Sequence, residues 1–262
     1  MTKTILITGA TDGIGLLTAQ ALAAEGHRVL LHGRNAAKLE AAAKTVGGTT
    51  EQYIADLSKR ADVDALAAAI RKNHSQIDVV INNAGILKAP NPVTKEGYDI
   101  RFEVNTFAPY ALTRDLLPIL AKDGRIVNLS SAAQAPVDLE ALLGRKTLDD
   151  MGAYAQSKLA LTIWSREMAK ELPEGPVIVA VNPGSLLASK MVKEGFGIAG
   201  NDLSIGVNIL REAALGDSFA DASGKYFDND SGQFAQPHSA ALDAAHSADV
   251  MQAIQDALTP QA

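Results

Sequence analysis

Tyr154 and Lys158 stand four residues apart in a stretch with helical spacing, so their side chains are expected on one helix face, about one turn apart. A phenol can act as a general acid or base, but an unperturbed tyrosine titrates near pKa 10. One ammonium about 4 Å away, at an effective dielectric near 20, supplies about the 3 to 4 kcal/mol needed to lower that pKa by roughly 2 to 3 units. The pair can therefore carry proton transfer. Chance alone gives roughly 0.3 occurrences of this spacing in a chain with five tyrosines.

Further polar residues are candidates to join this pair. The predicted strand over residues 125–130 ends in Ser130-Ser131, at the carboxyl edge of the sheet, where a hydroxyl can bind a substrate carbonyl. A turn or helix cap explains a serine there equally well. Asn105 lies four residues before Pro109, which has no N–H to donate, so the Asn105 carbonyl is free to hold a water on a proton path. A simple helix kink is the alternative explanation.

A glycine-rich turn, TGATDGIG over residues 8–15, joins the first predicted strand to a helical stretch. Glycines let the backbone approach a pyrophosphate, whose charge then meets the N–H groups and the positive dipole end of the helix. The spacing G-x3-G-x-G differs from the G-x-G-x-x-G dinucleotide fingerprint, and an ordinary loop is the alternative. The turn provides six candidate cofactor residues: Gly9, Thr11, Asp12, Gly13, Ile14 and Gly15.

Arg34 follows the second predicted strand, at the place where an NAD-binding protein carries a carboxylate for the adenosine ribose. A carboxylate would repel a 2′-phosphate, whereas a guanidinium can bind one through two charge-assisted hydrogen bonds. Arg34 therefore predicts NADP(H), with NAD(H) the less favoured cofactor. Asp12 near the phosphates weakens this prediction, and a solvated arginine is the alternative.

These residues need a scaffold of alternating strands and helices. Short apolar runs predict strands over residues 4–8, 28–32, 77–81, 125–130 and 176–182, buried on both faces. Stretches with helical periodicity separate them, which predicts an α/β fold: a doubly wound, Rossmann-like, mainly parallel sheet with helices on both faces. No linker divides the chain, so we expect one domain over residues 1–262. The glycine-rich residues 184–223 are expected to form a lobe over the substrate.

Composition excludes several classes of function. The 24 basic and 30 acidic residues leave a net charge of -6, without the basic surplus that nucleic acid or an anionic membrane requires. The absence of cysteine excludes disulfides and thiolate chemistry, and the five histidines show no metal-ligand spacing, so no metal site is expected. No apolar run reaches the 18 or so residues of a membrane span or resembles a signal peptide. We therefore expect a cytoplasmic protein.

Together these motifs resemble the short-chain dehydrogenase/reductase family, and specifically its retinol-dehydrogenase-like branch. They are, in chain order, TGATDGIG over residues 8–15, Asp56-Leu57, NNAG over residues 82–85, Asn105, Ser131, Tyr154 with Lys158, and Pro183-Gly184. The resemblance implies that Tyr154 is the proton donor or acceptor and that Ser131 orients the carbonyl. It also implies that Lys158 both tunes Tyr154 and binds the nicotinamide ribose, and that Asn105 joins a water relay.

The resemblance also implies a nicotinamide cofactor bound along the whole cleft. Asp56 would face the adenine, Asn82 and Gly85 would flank the adenosine ribose side, and Pro183-Gly184 would border the nicotinamide. The cofactor residues are then Gly9, Thr11, Asp12, Gly13, Ile14, Gly15, Arg34, Asp56, Leu57, Asn83, Ala84, Gly85, Tyr154, Lys158, Pro183 and Gly184.

This chain departs from the common family pattern in two places. Twenty-two residues separate Ser131 from Tyr154, about ten more than is usual. Where many members carry threonine in PGxxxT, this chain has Ala188 followed by Ser189, and whether Ser189 substitutes is open.

The motifs therefore predict an NADP(H)-dependent dehydrogenase or reductase acting on a small-molecule carbonyl or alcohol. A catalytically silent nucleotide-binding regulatory module is the alternative; an epimerase or dehydratase would need a larger substrate domain. A lipophilic substrate is favoured by apolar residues of the lobe, namely Leu186, Leu187, Met191, Val192, Phe196 and Ile198. The helices around residues 105–120 and 152–170 are apolar on more than one side, which is compatible with a homodimer or homotetramer.

Overall fold

A computed structural model describes residues 1–259, with only the backbone at Phe196. It contains one eight-stranded sheet, in the order β3-β2-β1-β4-β5-β6-β7-β8. The strands are β1 (Thr4–Ile7), β2 (Arg28–Gly33), β3 (Thr49–Ile54), β4 (Ile77–Asn82), β5 (Leu120–Leu129), β6 (Val177–Asn182), β7 (Tyr226–Asp228) and β8 (Gln233–Ala235). All neighbouring pairs are parallel except β7 and β8. The predicted α/β fold with a mainly parallel sheet is therefore confirmed.

Ten α-helices are present in residues 1–259: α1 (Gly13–Ala24), α2 (Ala36–Val46), α3 (Arg60–Asn73), α4 (Ile100–Phe102), α5 (Ala108–Leu116), α6 (Leu139–Leu142), α7 (Asp150–Glu171), α8 (Lys190–Phe196), α9 (Leu203–Leu215) and α10 (Ala244–Leu258). Alternate strand residues point to opposite faces, so Ile5 and Ile7 pack with α1, α2 and α9, while Leu6 packs with α3 and α5. Further along the second face, Ile126 and Ile178 pack with α7 and α10. Helices thus cover both faces of the sheet.

The five predicted strands are present, and their ends agree within one residue except that β5 begins at Leu120 instead of residue 125. The pattern missed β3, β7 and β8. In β3 only Tyr53 is buried, because this strand lies at the edge of the sheet and lacks the apolar run of a central strand. The strands β7 and β8 have three residues each, too few for a periodic signal.

The apolar sides of the long helices are largely covered within the chain. The apolar residues of α5 pack against α3, and those of α7 pack against α10. The helix α9 likewise lies in the core beside α1, so within residues 184–223 only the part before α9 extends away from the core. No helix among residues 1–259 is long and apolar enough to cross a membrane.

Candidate active site and cofactor cleft

A cavity of about 760 Å³ lies along the carboxyl ends of the parallel strands. Ser131, Tyr154, Lys158 and all sixteen predicted cofactor residues line it. Two residues expected in the catalytic or cofactor region do not line it. Asn105 lies behind the wall, and the side chain of Asn82 points into the core, where it donates to Thr113 Oγ1 at 3.0 Å and to Asn128 Oδ1 at 2.8 Å. The expectation that Asn82 flanks the ribose is therefore wrong, because its amide is used to join β4 to β5 and α5.

The glycine-rich turn is shaped by its own backbone and by the loop after β4. Gly9 and Gly13 have φ of +67° and +54°, in the left-handed region that favours glycine. A Cβ on Gly15 would lie 2.4 Å from Asn83 Nδ2, so only glycine fits there. Asn83 Nδ2 donates to the carbonyls of Thr8 and Gly9 at 2.8 and 3.0 Å. The NNAG loop thus holds the glycine-rich turn through the Asn83 side chain.

Positive charge gathers at the end of the cavity next to β2 and β3. Arg34 and Lys38 both line this end, and Asn35 begins α2 by accepting the Lys38 N–H at 3.0 Å. Asp56 accepts hydrogen bonds from the Ser58 N–H and hydroxyl at 3.1 and 2.7 Å. Burial raises the pKa of Asp56, but these hydrogen bonds and the charges of Lys59 and Arg34 hold it below its ordinary value. Sequence reasoning missed Lys38, although it stands one helical turn beyond Arg34.

His32 is a second residue that sequence reasoning missed. It is buried in β2, where Nδ1 accepts the Gly9 N–H at 3.2 Å and Nε2 donates to the Ala55 carbonyl at 3.0 Å. Its ring therefore joins the glycine-rich turn to the loop that carries Asp56. Burial lowers the pKa of His32 to about 4, against the Ala55 hydrogen bond and the Asp56 charge, which raise it.

The His32 pKa predicts a pH dependence of stability. Because the pKa is about 4 in the folded chain and ordinarily about 6.5, the unfolded chain binds the proton more readily between these values. The contribution of neutral His32 to the free energy of unfolding is therefore fully present above pH 6.5. It falls by about 3 kcal/mol as the pH drops to 4. Urea unfolding of His32→Gln at several pH values should show a flatter profile than wild type over this range. His27→Gln, outside the cavity, is the control; equal slopes in wild type and His32→Gln would contradict the assignment.

The beginning of α7 is held at two points. Asp149 accepts the Gly152 N–H at 2.6 Å as the helix cap. Arg101, only 1% exposed, donates to Asp99 at 2.6 Å and also to Asp150. The first turns of α7, which carry the predicted catalytic tyrosine and lysine, are therefore tied to Arg101 in α4.

Tyr154 and Lys158 share one face of α7 as predicted, and Ser131 comes from the loop after β5. The Ser131 side chain lies beside the Tyr154 phenol and influences its pKa as a hydrogen-bonding neighbour. Lys158 Nζ lies 5.7 Å from the centre of the Tyr154 ring and donates to the Leu129 carbonyl at 2.7 Å. Burial lowers the pKa of Lys158 to about 8.

The expected lowering of the Tyr154 pKa by Lys158 is not found. Burial raises the pKa of Tyr154, and the Ser131 hydrogen bond offsets part of that rise. The physical reason is that the phenolate is desolvated on α7, while the ammonium is directed to a backbone carbonyl. Tyr154 thus holds its proton at neutral pH.

Asn105 lies in a wide turn of π-helix over Glu103–Phe107, which splits the predicted continuous helix into α4 and α5. Its Oδ1 accepts the Ile86 N–H at 2.9 Å, and its Nδ2 donates to the Ile86 carbonyl at 3.0 Å and to Ser157 Oγ at 2.9 Å. A Cβ on Gly85 would lie 3.2 Å from Lys158 Nζ and 3.4 Å from Asn105 Oδ1. The amide therefore lies behind Gly85, near the lysine.

The lobe before α9 covers the remaining side of the cavity. Its lining is apolar at Leu186, Leu187, Met191 and Val192, with charged residues Lys88, Lys190 and Glu194 also on the wall. Ile198 is exposed and does not line the cavity, and the Phe196 side chain lies outside the described part of the structure. Ser189 begins α8 by accepting the Val192 N–H at 3.3 Å, and its Cβ is 3.9 Å from where a Cβ on Gly13 would be. Ser189 thus lies beside the glycine-rich turn.

Across residues 1–259, no group of three or more acidic or histidine side chains is placed to hold a metal ion.

Comparison with known proteins agrees with the family that the motifs indicate. The family model described as short chain dehydrogenase matches residues 3–196. Retinol dehydrogenase 13 of Homo sapiens is 32% identical over 253 residues, which cover 86% of this chain and 76% of that protein. The motifs' resemblance to the retinol-dehydrogenase-like branch is therefore confirmed.

Two solved structures share the fold. One is a crystal structure of an uncharacterized protein from Mycobacterium paratuberculosis, with a TM-score of 0.82 and 28% identity, covering 98% of this chain and 93% of that one. The other is a short chain dehydrogenase from Escherichia coli CFT073 complexed with NADPH, with a TM-score of 0.70 and 28% identity, covering 87% of this chain and 96% of that one.

Proposed function

The chain belongs to the short-chain dehydrogenase family of oxidoreductases, and we propose that it transfers hydride between NADP(H) and a carbonyl or alcohol. One observation carries this proposal. A single cavity has the Ser131, Tyr154 and Lys158 side chains at one end and the Arg34 side chain at the other. This arrangement can hold a long, polyanionic dinucleotide with its reactive ring beside a proton donor.

The residues present fit such a cofactor. The volume of about 760 Å³ is in the range of small-molecule sites. The positive φ at Gly9 and Gly13 and the absence of a side chain at Gly15 let the backbone come close to phosphate oxygens. Arg34 and Lys38 provide the positive charge that a 2′-phosphate requires. The charge and the shape therefore favour NADP(H) over NAD(H).

When bound, the cofactor supplies the hydride. The chain supplies the proton: Tyr154, whose pKa is raised by burial, is the acid that protonates the carbonyl oxygen during reduction. The Ser131 hydroxyl, on the same wall of the cavity as Tyr154, can orient that oxygen. Lys158 would hold the nicotinamide ribose at this end of the cavity, and Asn105 positions the wall beside Lys158. A protonated Tyr154 is the form that reduction requires.

We propose a lipophilic substrate. Leu87, Met151 and Met191 line the same cavity as Tyr154, and a Cβ on Gly195 would lie 2.6 Å from Leu87 Cδ2, so the lobe packs tightly on this wall. Burying apolar surface there is favourable at about 0.8 kcal/mol for each CH₂ group.

NADPH oxidation at 340 nm with aliphatic aldehydes and ketones of increasing length tests both proposals. We expect turnover with NADPH, and kcat/KM should rise about fourfold for each added CH₂ until the cavity is filled. A flat or falling series would contradict the lipophilic substrate. NADPH binding without turnover of any carbonyl would contradict the reductase and favour the catalytically silent regulatory module.

We further propose that residues 1–262 form one domain that acts in the cytoplasm as a homodimer or homotetramer, and that the part of residues 184–223 before α9 contributes the substrate lobe. The exposed Phe234 on the edge strand β8 is available to an interface. Light scattering after gel filtration that gave a strict monomer would contradict the assembly.

A further inference from the structure

The backbone carbonyl of Ser131 accepts two side-chain hydrogen bonds. Gln134 Nε2 donates to it at 2.9 Å, and the Tyr226 hydroxyl donates to it at 3.1 Å. Tyr226 lies in β7, 95 positions later in the chain. Gln134 Oε1 accepts the His238 N–H at 3.0 Å. The C-terminal segment therefore holds the Ser131 peptide from two directions.

These bonds matter because Ser131 lies just beyond the regular sheet. The N–H of Ser130 still bonds the Val181 carbonyl at 2.8 Å, but the loop from Ser131 to Val137 has no helix or strand. Within that loop Ser131 Oγ accepts the Ala133 N–H at 3.1 Å. Side-chain hydrogen bonds therefore hold the Ser131 carbonyl where the sheet no longer does.

Tyr226 is suited to a permanent donor role. It is 5% exposed, so its ring is held in the core. Burial, with the charges of Asp228 and Asp230, raises its pKa, so the hydroxyl keeps its proton at any ordinary assay pH.

We propose that Tyr226 is a positioning residue for the reaction: it holds the Ser131 peptide so that the Ser131 hydroxyl stays directed at Tyr154 and at the substrate oxygen. This inference rests on the proposed function of Ser131. Within residues 1–259, Tyr226 does not line the cavity and its hydroxyl bonds the Ser131 carbonyl, so its effect should reach the reaction through Ser131.

The test is Tyr226→Phe, which keeps the ring and removes the donor. We expect kcat for carbonyl reduction to fall about tenfold, because a misplaced orienting group weakens transition-state interactions more than binding. The Kd of NADPH, measured by fluorescence titration, should change less than twofold. Tyr53→Phe is the matched control, since that hydroxyl bonds Glu51 outside the cavity; it should leave kcat unchanged.

A double-mutant cycle separates positioning from general packing. If Tyr226 acts through Ser131, adding Tyr226→Phe to Ser131→Ala should lower kcat by less than a further twofold. Gln134→Met, which removes the other donor to the same carbonyl, should reproduce the selective loss of kcat and decides the question if Tyr226→Phe does not fold.

Three results would overturn the inference. The first is a wild-type kcat in Tyr226→Phe while Ser131→Ala is impaired, and the second is additive losses of kcat in the double-mutant cycle. The third is a weakening of NADPH binding in Tyr226→Phe that equals the loss of kcat. These results leave the proposed function intact. A wild-type chain that turns over no carbonyl, or full activity in Ser131→Ala, would instead contradict the proposed function itself.

Discussion

Tyr154→Phe is expected to lower kcat for carbonyl reduction by about 10³-fold, the largest single effect in the molecule. Phenylalanine keeps the ring on α7 but cannot donate the proton that the carbonyl oxygen needs as hydride arrives, and general acid catalysis typically contributes about 10² to 10⁴. The raised pKa of Tyr154 supports this role, because the phenol remains protonated at the pH where reduction is measured. Rates are read as NADPH oxidation at 340 nm with saturating cofactor.

Binding and folding must be shown to survive this change. We expect the Kd of NADPH to differ by less than threefold between wild type and Tyr154→Phe, since the ring itself is retained. Tyr53→Phe removes a hydroxyl outside the cavity and should leave kcat within twofold of wild type. A Tyr154→Phe variant with more than a tenth of the wild-type kcat would remove Tyr154 from the chemistry and leave a water or another side chain as the proton donor.

The second large effect is expected in cofactor preference. Arg34→Ala should lower kcat/KM for NADPH about 30-fold, because charge-assisted hydrogen bonds to the 2′-phosphate contribute about 2 kcal/mol. The value for NADH should stay within twofold, since NADH has a hydroxyl at that position and needs no guanidinium. Arg34 is exposed at the rim, so part of its contribution is screened and should shrink as salt is added.

Lys38 and a surface arginine provide the comparison. Lys38→Ala should shift the same preference by a smaller factor, because a single ammonium binds phosphate as a point charge and not through a planar pair of donors. Arg145→Ala removes an exposed cation that pairs with Glu140 outside the cavity and should change neither cofactor's kinetics. An unchanged ratio of NADPH to NADH efficiency in Arg34→Ala would mean that the guanidinium is only solvated.

Much of the fold and of the cleft is already determined by local sequence. The central strands are apolar because both of their faces are buried, and this burial leaves a continuous pattern in the chain. The glycine-rich turn is equally local, since the positive φ at Gly9 and Gly13 depends on their own lack of a side chain. The shared face of Tyr154 and Lys158 follows from the period of one helix.

Other features depend on partners that are far away in the sequence. The strand β3 has a mostly polar pattern and forms only because β2 offers its edge. The π turn around Asn105 and the turn of Asn82 into the core depend on where neighbouring helices and strands supply hydrogen bonds. Such contacts leave no periodic signal in the sequence. The sequence therefore assigned Asn105 to the catalytic region and Asn82 to the cofactor region, but it could not predict the hydrogen bonds that these two side chains make.

The chemistry of the site also depends partly on the local sequence and partly on contacts between distant residues. Residue types and spacing determined which groups could act: a phenol, an ammonium, a hydroxyl and a guanidinium along one edge of a sheet. Only the tertiary structure decided their ionisation and direction, because burial and distant donors control both. The fold half-buries Tyr154, buries Lys158 and directs it to the Leu129 carbonyl, and brings Tyr226 onto the Ser131 peptide.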